Sequence, residues 1–345
     1  MNMVTIGIQT ASKPLCIICG SDGQVLYQGL KDRLYDLSGE WVIKQCRNTK
    51  CKLLWLDPMP VAEDLNKLYL DYYTHKNMPI NKTLLKRRYE RVIDRYLHIK
   101  YGYGATYDGL IDRLLYRLLY LFPGRKVDAD IRVMYLQTII GGKLLEIGFG
   151  SGITLERLQK LCWCVTGIDI DPVVVKHARS KGLNVNLGHL KEQKYPDNFF
   201  DAIIMSHVIE HTPDPVALLF ESYRVLKPDG NIIINTPNSE ALLHRFYRSN
   251  WLHLDPPRHL HIFTSNSLLM AAKRVGFSKV ACNSIIRSRD ALIFSRRIRR
   301  YGNIKLTVPK HAFEMFLGDL IDLLEWMAIR FDKNAGGDLL LTAQK

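Results

Sequence analysis

Long apolar runs are missing from this sequence of 345 residues. No uninterrupted stretch approaches the roughly 20 apolar residues that a membrane-spanning helix needs, so we expect no such helix. The first residues also lack the basic stretch followed by an apolar run that marks a secretory signal peptide. Together these two absences predict a cytoplasmic protein.

Acidic residues are few relative to basic ones, and cysteines are few and odd in number. There are 34 Asp and Glu against 48 Lys and Arg, which gives a formal net charge of +14. Such a charge predicts an anionic partner, which could be a phosphate-bearing substrate, a nucleic acid or a membrane surface. The alternative is that the charge only keeps the protein soluble. The seven cysteines do not suit a secreted fold built on disulfides. The length predicts about two domains.

Four of the cysteines form two close pairs near the N-terminus. Cys16 and Cys19 are separated by two residues, whereas Cys46 and Cys51 are separated by four. Four thiolates held by two turns suit a closed, tetrahedral, structural Zn²⁺ site. Iron–sulfur ligation and four unrelated thiols are the alternatives. We therefore expect residues 1–75 to form a zinc-binding module, with a pair of strands between the two cysteine pairs.

A basic, helical linker or cap is predicted over residues 76–138. Basic side chains cluster near its start, and residues 110–120 have apolar residues at helical spacing among basic ones. The favoured interpretation is a helix that covers the substrate side of the next domain. The alternative is a helix on a membrane surface, since basic amphipathic segments bind anionic lipid. Nucleic acid is not favoured as a partner, because no known recognition motif accompanies the basic residues.

A buried strand followed by a glycine-rich turn lies near the middle of the chain. Residues 144–147 form an apolar run interrupted by Glu146, and Gly148, Gly150 and Gly152 alternate after it. Glycine lets the backbone turn sharply and approach a ligand closely. The apolar spacing that follows predicts a helix, whose N-terminus offers free N–H groups. The acid at the strand end suits a ligand that carries positive charge.

The dinucleotide fingerprint G-x-G-x-x-G is absent from this turn. It needs a third glycine three places after the second, and those places hold Ile153 or Leu155 in the two registers. The pattern Glu-x-Gly-x-Gly-x-Gly resembles instead the first motif of class I S-adenosylmethionine-dependent methyltransferases. A turn without any ligand is the alternative.

The resemblance extends well beyond the glycine turn. Strands and helices alternate from Lys143, which predicts a parallel sheet with right-handed crossovers. Residues 199–238 and 255–263 resemble small-molecule methyltransferases of the quinone and sugar type. The family implies an α/β fold, a Rossmann-like seven-stranded methyltransferase sheet over residues 139–345, with a helical insertion near 290–335. It also implies a last strand that runs antiparallel at the sheet edge.

The family and the predicted strand ends together indicate the residues that bind S-adenosylmethionine. Asp169 ends the second strand, 23 residues after Glu146, where a carboxylate can accept both ribose hydroxyls. His189 stands on the adenine side, where many relatives carry an acid. The predicted cofactor-binding residues are Glu146, Gly148, Gly150, Gly152, Asp169, Ile170, His189, Ser206 and His207.

Histidines in the loop after the fourth strand supply candidate catalytic groups. An acceptor hydroxyl or carbon acid must lose a proton, and histidine suits that task near neutral pH. The Glu210–His211 pair resembles the pair of sugar C-methyltransferases, which implies that His211 is the general base. Glu210 would orient its ring or raise its basicity. His259 is the alternative base, and His207 is expected to contact the methyl donor.

The sequence thus predicts an S-adenosylmethionine-dependent methyltransferase acting on an O or C atom of a small molecule. The cysteine module resembles that of sugar C-methyltransferases and favours a sugar-linked or anionic acceptor, such as a polysaccharide precursor. The basic helices favour a quinone or lipid acceptor and a peripheral position at the inner membrane surface. A non-catalytic S-adenosylmethionine-binding protein is the third alternative. A nucleic-acid methyltransferase is not favoured, because no Asn/Asp-Pro-Pro-Tyr motif follows the fourth strand.

Overall fold

The computed structural model describes residues 7–69, 84–104, 116–117, 119–304 and 312–345. The strands in these ranges are β1 Thr10–Ala11, β2 Gly23–Leu30, β3 Trp41–Cys46, β4 Leu54–Leu56, β5 Met59–Pro60, β6 Lys143–Ile147, β7 Cys164–Asp169, β8 Val185–Leu187, β9 Phe200–Ser206, β10 Leu226–Pro237, β11 His261–Ile262, β12 Ser278–Ile285 and β13 Asp338–Gln344. The α-helices are α1 Leu84–Tyr101, α2 Pro123–Ile131, α3 Ile153–Lys160, α4 Pro172–Ser180, α5 Pro215–Val225, α6 Leu242–Tyr247, α7 Ser265–Val275, α8 Arg289–Tyr301 and α9 Ala312–Phe331. Short 3₁₀ helices span Ala62–Tyr69, Leu119–Leu121, Leu190–Gln193, Ile209–His211, Arg248–Asn250 and Leu252–Leu254.

The main sheet has seven strands in the order β12-β13-β10-β9-β6-β7-β8. Neighbouring strands from β10 to β8 pair in parallel, as the alternation of strands and helices predicts. The central strand β6 is buried from Leu144 to Ile147, because helices cover both faces of a parallel sheet. The predicted α/β fold with a seven-stranded sheet is confirmed.

The position of the last strand differs from the prediction. β13 runs antiparallel as expected, but it pairs with β10 on one side and β12 on the other. Leu339, Leu341 and Ala343 are buried in β13, whereas Ser278 and Lys279 begin β12 exposed. The more apolar strand therefore fills the interior position, and the more polar β12 takes the edge. As a consequence, Asp338 enters the sheet directly beside the end of β10.

A second, four-stranded sheet has the order β11-β4-β3-β2. The strand pair predicted between the cysteines is confirmed as β2 and β3, which pair antiparallel. The fourth strand, β11, comes from the region after the main sheet's parallel strands. It pairs His261 with Trp55, and Thr264 Oγ1 donates to the Cys51 carbonyl over 2.7 Å. The N-terminal residues are thus tied to the later part of the chain.

Helices α1 and α2 fall within the predicted basic linker, and α8 and α9 lie between β12 and β13. Tyr96 and Met134 join the apolar cluster that includes Leu144, so the α1–α2 region packs against the main sheet. Residues 110–115 and 118 of the predicted amphipathic stretch are outside the described ranges. Among the described residues, no helix is both long and apolar enough to cross a membrane.

Candidate functional site

The glycine turn after β6 uses the backbone freedom of its glycines. Gly148, Gly150 and Gly152 have φ angles of +66°, +51° and +73°, in the left-handed region that other residues rarely adopt. A Cβ on Gly148 would lie 2.5 Å from Cγ2 of Val208 in the loop after β9. Only glycine lets these two loops approach each other so closely at the carboxyl edge of the sheet.

Two acidic side chains face this turn. At the end of β7, Asp169 accepts hydrogen bonds from the N–H groups of Gly150 and Asp171, over 2.9 and 3.0 Å. Burial raises the pKa of Asp169, and burial together with the charge of Asp169 raises that of Glu146 to about 8. The start of α4 is capped by Asp171, whose side chain accepts from Val173 N. Asp169 therefore remains available to a ligand.

Buried carboxyl oxygens without a partner lie at this edge of the sheet. Within the described ranges they include Glu146 Oε2 and Asp338 Oδ1, in β6 and β13. Buried polar atoms are nearly always hydrogen-bonded in folded proteins, so these two oxygens need an explanation. A ligand that carries positive charge and hydrogen-bond donors would suit them.

The other predicted cofactor-binding residues occupy neighbouring strand ends. Ile170 follows β7 directly, Ser206 ends β9, and both are partly buried. His189 is exposed after β8, where its backbone N–H donates to Glu192 Oε2 over 2.8 Å. The structure thus brings the glycine turn, Asp169 and Ser206 to one edge, with His189 on the next strand along it.

His207 is held between two buried carboxylates. Its Nδ1 donates to Glu210 Oε1 over 3.1 Å, and its Nε2 lies 3.2 Å from Asp338 Oδ2. Burial opposes the charged ring, but the two carboxylates outweigh burial and raise the pKa of His207 to about 10. His207 is therefore protonated at neutral pH, and it cannot accept a proton from a substrate.

Glu210 does not orient the His211 ring through a hydrogen bond, although its charge acts to raise the pKa of His211. The Glu210 oxygens accept instead from His207 Nδ1 and from Thr236 Oγ1, the latter over 2.9 Å. Glu210 and His211 are successive residues of the 3₁₀ helix Ile209–His211, so their side chains point about 120° apart. His207 precedes this helix, with a φ of +54°, and its ring contacts Glu210. These contacts outweigh the burial of Glu210 and lower its pKa to about 2.

His211 is oriented by a backbone carbonyl and a tyrosine. Its Nδ1 lies 3.0 Å from the Arg258 carbonyl and 3.0 Å from Tyr69 Oη. Because a carbonyl can only accept, Nδ1 carries the ring proton and Nε2 carries a lone pair. Burial and the neighbouring His259 lower the pKa of His211 to about 4, although the charge of Glu210 acts in the opposite direction.

His259 lies beside His211 with the same tautomer. The two ring centroids are 4.6 Å apart, and His259 Nδ1 lies 2.7 Å from the His253 carbonyl. Burial lowers the pKa of His259, so this ring is also neutral. The two candidate bases and Glu210 each offer one possible metal-ligating atom, and these atoms lie within 4.8 Å of one another. The structure therefore brings all three predicted catalytic residues together.

Several residues of the site are not recognisable from the sequence. Tyr69, Asn235 and Asp338 belong to no motif that indicates a site. Nothing in residues 255–263 indicates that the Arg258 side chain is fully buried and paired with Asp32 and Asp255. Their partners lie far away in the sequence, so spacing alone gave no signal. One sequence feature does point to the site: Asp338 is an acid placed directly before the apolar run of β13.

The four N-terminal cysteines form a compact cluster. Their Sγ atoms all lie within 4.8 Å of one another, with 3.7 Å between Cys16 and Cys51 and 3.3 Å between Cys19 and Cys46. A tetrahedral ion with Zn–S distances of about 2.3 Å sets its sulfur atoms about 3.8 Å apart. Hydrogen bonds from Cys51 and from backbone N–H groups lower the pKa of Cys16 to about 5, despite burial. The cluster fits a metal ion.

The chain was compared with known proteins. Residues 106–281 match the family model described as a methyltransferase domain. Identity is 34% over 107 residues with a ubiquinone biosynthesis O-methyltransferase of Xanthomonas oryzae pv. oryzae, which covers 29% of this chain and 45% of that protein. The sequence identity with the Actinobacillus pleuropneumoniae protein of the same name is 32% over 123 residues. That match covers 31% of this chain and 53% of the other protein. The chain spans about half the length of the curated relatives it matches.

Two solved structures illustrate the more distant similarity. A SAM-dependent methyltransferase from Archaeoglobus fulgidus is 21% identical with a TM-score of 0.45, covering 68% of this chain and 99% of that one. Phosphoethanolamine N-methyltransferase 2 of Haemonchus contortus is 18% identical with a TM-score of 0.46, covering 94% and 68%. The family match covers just over half of the chain and includes the glycine turn, Asp169 and the loop after β9, and the chain therefore belongs to the class I S-adenosylmethionine-dependent methyltransferases.

Proposed function

We propose that this protein transfers a methyl group from S-adenosylmethionine to an O or C atom of a small molecule, with His211 as the general base. The observation that carries the proposal is the state of His211. Its ring is neutral, the Arg258 carbonyl fixes the proton on Nδ1, and Nε2 keeps a lone pair. This ring lies in the loop directly after β9, beside the edge where ligands of such sheets bind.

The donor would be held by the strand ends and the glycine turn. Asp169 would accept hydrogen bonds from the ribose hydroxyls. The positively charged amino group would lower the raised pKa of Glu146, which would then lose its proton and pair with that group. Gly148, Gly150 and Gly152 would let the backbone approach the donor. The unpartnered carboxyl oxygens of Glu146 and Asp338 support a ligand of this charge. When bound, the sulfonium supplies a methyl group that is already activated, so the protein mainly has to align the two reactants.

The proton of the acceptor would pass to Nε2 of His211. The imidazolium that forms would be stabilised by the negative charge of Glu210 nearby, which favours the protonated ring. His207, which precedes the short helix Ile209–His211, donates to Glu210 and so keeps this carboxylate ionised and in place. Tyr69 and the Arg258 carbonyl hold the His211 ring in place, as partners of a catalytic imidazole commonly do.

A sugar-linked or anionic molecule, such as a polysaccharide precursor, is our proposed acceptor. The similarity of the cysteine module to that of sugar C-methyltransferases supports it, and so does the net charge of +14. A quinone or lipid acceptor is the second candidate. It is supported by the curated relatives, which are named ubiquinone biosynthesis O-methyltransferases.

The experiment compares His211→Ala with His259→Ala and the wild type. Labelled S-adenosylmethionine is incubated with separate sugar-phosphate and quinone fractions, and mass spectrometry identifies the methylated product. A general base typically contributes about 10²–10⁴-fold to rate, so His211→Ala should lose that much turnover. Its donor affinity in calorimetry should stay near that of the wild type. His177→Ala, on α4, serves as the control and should remain active.

Other results would contradict parts of the proposal. Loss of turnover in His259→Ala alone would transfer the role of base to His259. Full activity in both variants would mean that the acceptor needs no protein base. Tight donor binding without any methylated product would instead support the non-catalytic alternative.

A further inference from the structure

Helix α9 has its polar side facing the protein and its apolar side facing outward. Asp322 and Glu325 are 6% and 0% exposed. Asp322 pairs with Arg289 of α8 over 2.7 Å, and Glu325 accepts from Ser288 Oγ over 2.6 Å. A surface helix of a globular protein normally shows the opposite arrangement. The inward face of α9 is therefore held by ionic and hydrogen-bonded contacts.

The outward face of α9 carries an apolar stripe. Its members are between 40% and 93% exposed, and they recur at spacings of three and four residues along the whole helix. The α9 stripe consists of Phe313, Phe316, Leu320, Leu323, Leu324, Met327 and Phe331. At 1.5 Å per residue, this 20-residue helix is about 30 Å long. A continuous exposed apolar surface of this kind marks a site that another surface covers.

Arginines border the α9 stripe. Arg296, Arg299 and Arg300 are exposed on α8, the helix packed beside α9. The Arg296 guanidinium lies 5.8 Å from the ring centroid of Phe313, within the stripe itself. The surface therefore combines exposed aromatic and aliphatic side chains of α9 with arginines of the neighbouring helix, and the exposed acid Asp319 of α9 is paired with Arg289. Apolar side chains beside basic ones suit a membrane interface.

A second copy of the chain suits this surface less well than a membrane does. A two-fold axis across the middle of α9 would set the two helices antiparallel, so Arg296 beside Phe313 of one copy would approach the exposed Arg330 near the other end of α9 in the second copy. Like charges would then be desolvated together, at a cost. Anionic phospholipids offer negative headgroups beside an apolar interior, which matches both parts of the surface. Because α9 contains five charged residues, it would lie on the membrane and not cross it.

We propose that the α9 stripe docks this protein on an anionic membrane surface, with Arg296, Arg299 and Arg300 reaching the lipid phosphates. The apolar side chains would enter the boundary between headgroups and acyl chains. The docking does not rest on the proposed methyl transfer, and it would hold for either acceptor class.

The test is flotation of the full chain with vesicles. One set contains equal parts of phosphatidylglycerol and phosphatidylcholine, and the other contains phosphatidylcholine alone. We expect binding to the anionic vesicles at low salt and release at high salt. Replacing Arg299 and Arg300 by Gln should weaken binding about 25-fold, because each arginine near an anionic leaflet contributes about fivefold. Lys176→Gln, exposed on α4, is the charge control.

The apolar part is tested by Phe316→Ser combined with Leu320→Ser. This variant should lose binding at every salt concentration, while Phe220→Ser, a similarly exposed phenylalanine on α5, should bind like the wild type. Wild-type affinity for S-adenosylmethionine would show that the variant is folded. No binding of the wild type to anionic vesicles at low salt would overturn the proposal. A second outcome would also overturn the proposal. In it, the wild type does not bind vesicles and sediments as a dimer, whereas the double serine variant sediments as a monomer.

Discussion

Two histidines four residues apart, His207 and His211, have opposite protonation states in this site. His207 donates from both ring nitrogens toward Glu210 and Asp338, and its pKa rises to about 10. His211 faces a carbonyl and lies beside a second histidine, and its pKa falls to about 4. The side chain is the same, so the difference comes from the neighbours and not from the residue type. One ring acts as a fixed cation, and the other is free to accept a proton.

A residue-scale prediction concerns the buried carboxyl of Glu146. Its pKa of about 8 in the folded protein exceeds its ordinary value of 4.5, so the folded state keeps a proton that the unfolded chain loses. The stability that this proton provides is complete below pH 4.5 and is lost as pH rises through about 8. Glu146→Gln does not titrate. The free energy of unfolding of Glu146→Gln, relative to that of the wild type, should therefore increase as pH rises from 4.5 to about 8. The increase is at most about 1.4 kcal/mol for each unit by which the folded pKa exceeds the unfolded one.

Urea unfolding of both proteins between pH 5 and pH 9 measures this difference. Glu40→Gln, an exposed acid in an ion pair with Lys31, is the matched control and should follow the wild-type curve. Parallel curves for Glu146→Gln and the wild type would contradict the buried, protonated state of Glu146.

At the scale of elements, local patterns were sufficient wherever one segment determines its own structure. The apolar run before Gly148, the strand ending at Asp169 and the strand ending at Ser206 are all found as predicted. Patterns failed where the outcome depends on distant partners. The apolar residues of β13 predict a strand but not its place between β10 and β12. The adjacency of Glu210 and His211 indicates a pair, whereas the 3₁₀ helix points their side chains in different directions and Glu210 contacts His207.

An element-scale prediction concerns the small sheet and its cysteines. We expect one structural zinc ion per chain, held by Cys16, Cys19, Cys46 and Cys51, because the sulfur spacing fits a tetrahedral site. Cys51→Ser should lose the metal and unfold the sheet of β2 to β4, since metal binding is coupled to folding in such sites. Elemental analysis and circular dichroism measure both effects.

The exposed thiol of Cys164 provides the control for this experiment. Cys164→Ser should keep its zinc, because this residue lies on β7, away from the cluster. Purified wild-type protein without zinc, in which all seven thiols react freely, would exclude the metal site.

At the scale of the whole molecule, one buried arginine connects the N-terminal module with the proposed catalytic base. The Arg258 guanidinium pairs with Asp32 of the module, over 2.9 and 2.5 Å, and with Asp255 of its own loop. Its carbonyl accepts from His211 Nδ1. Asp32 and Arg258 lie 226 residues apart, so no local sequence pattern indicates this connection. The module is thus bonded to the loop that orients His211.

The last prediction follows from this connection. Asp32→Asn leaves the buried Arg258 with only Asp255 to balance it, and breaking a buried ion pair costs about 3–5 kcal/mol. The loop that carries the Arg258 carbonyl should then hold His211 less firmly, so turnover should fall while donor affinity changes little. Urea unfolding, turnover and calorimetry measure the three quantities, with Asp36→Asn in the same loop as the control. If Asp32→Asn is destabilised but keeps full turnover, the ion pair supports the fold and does not position His211.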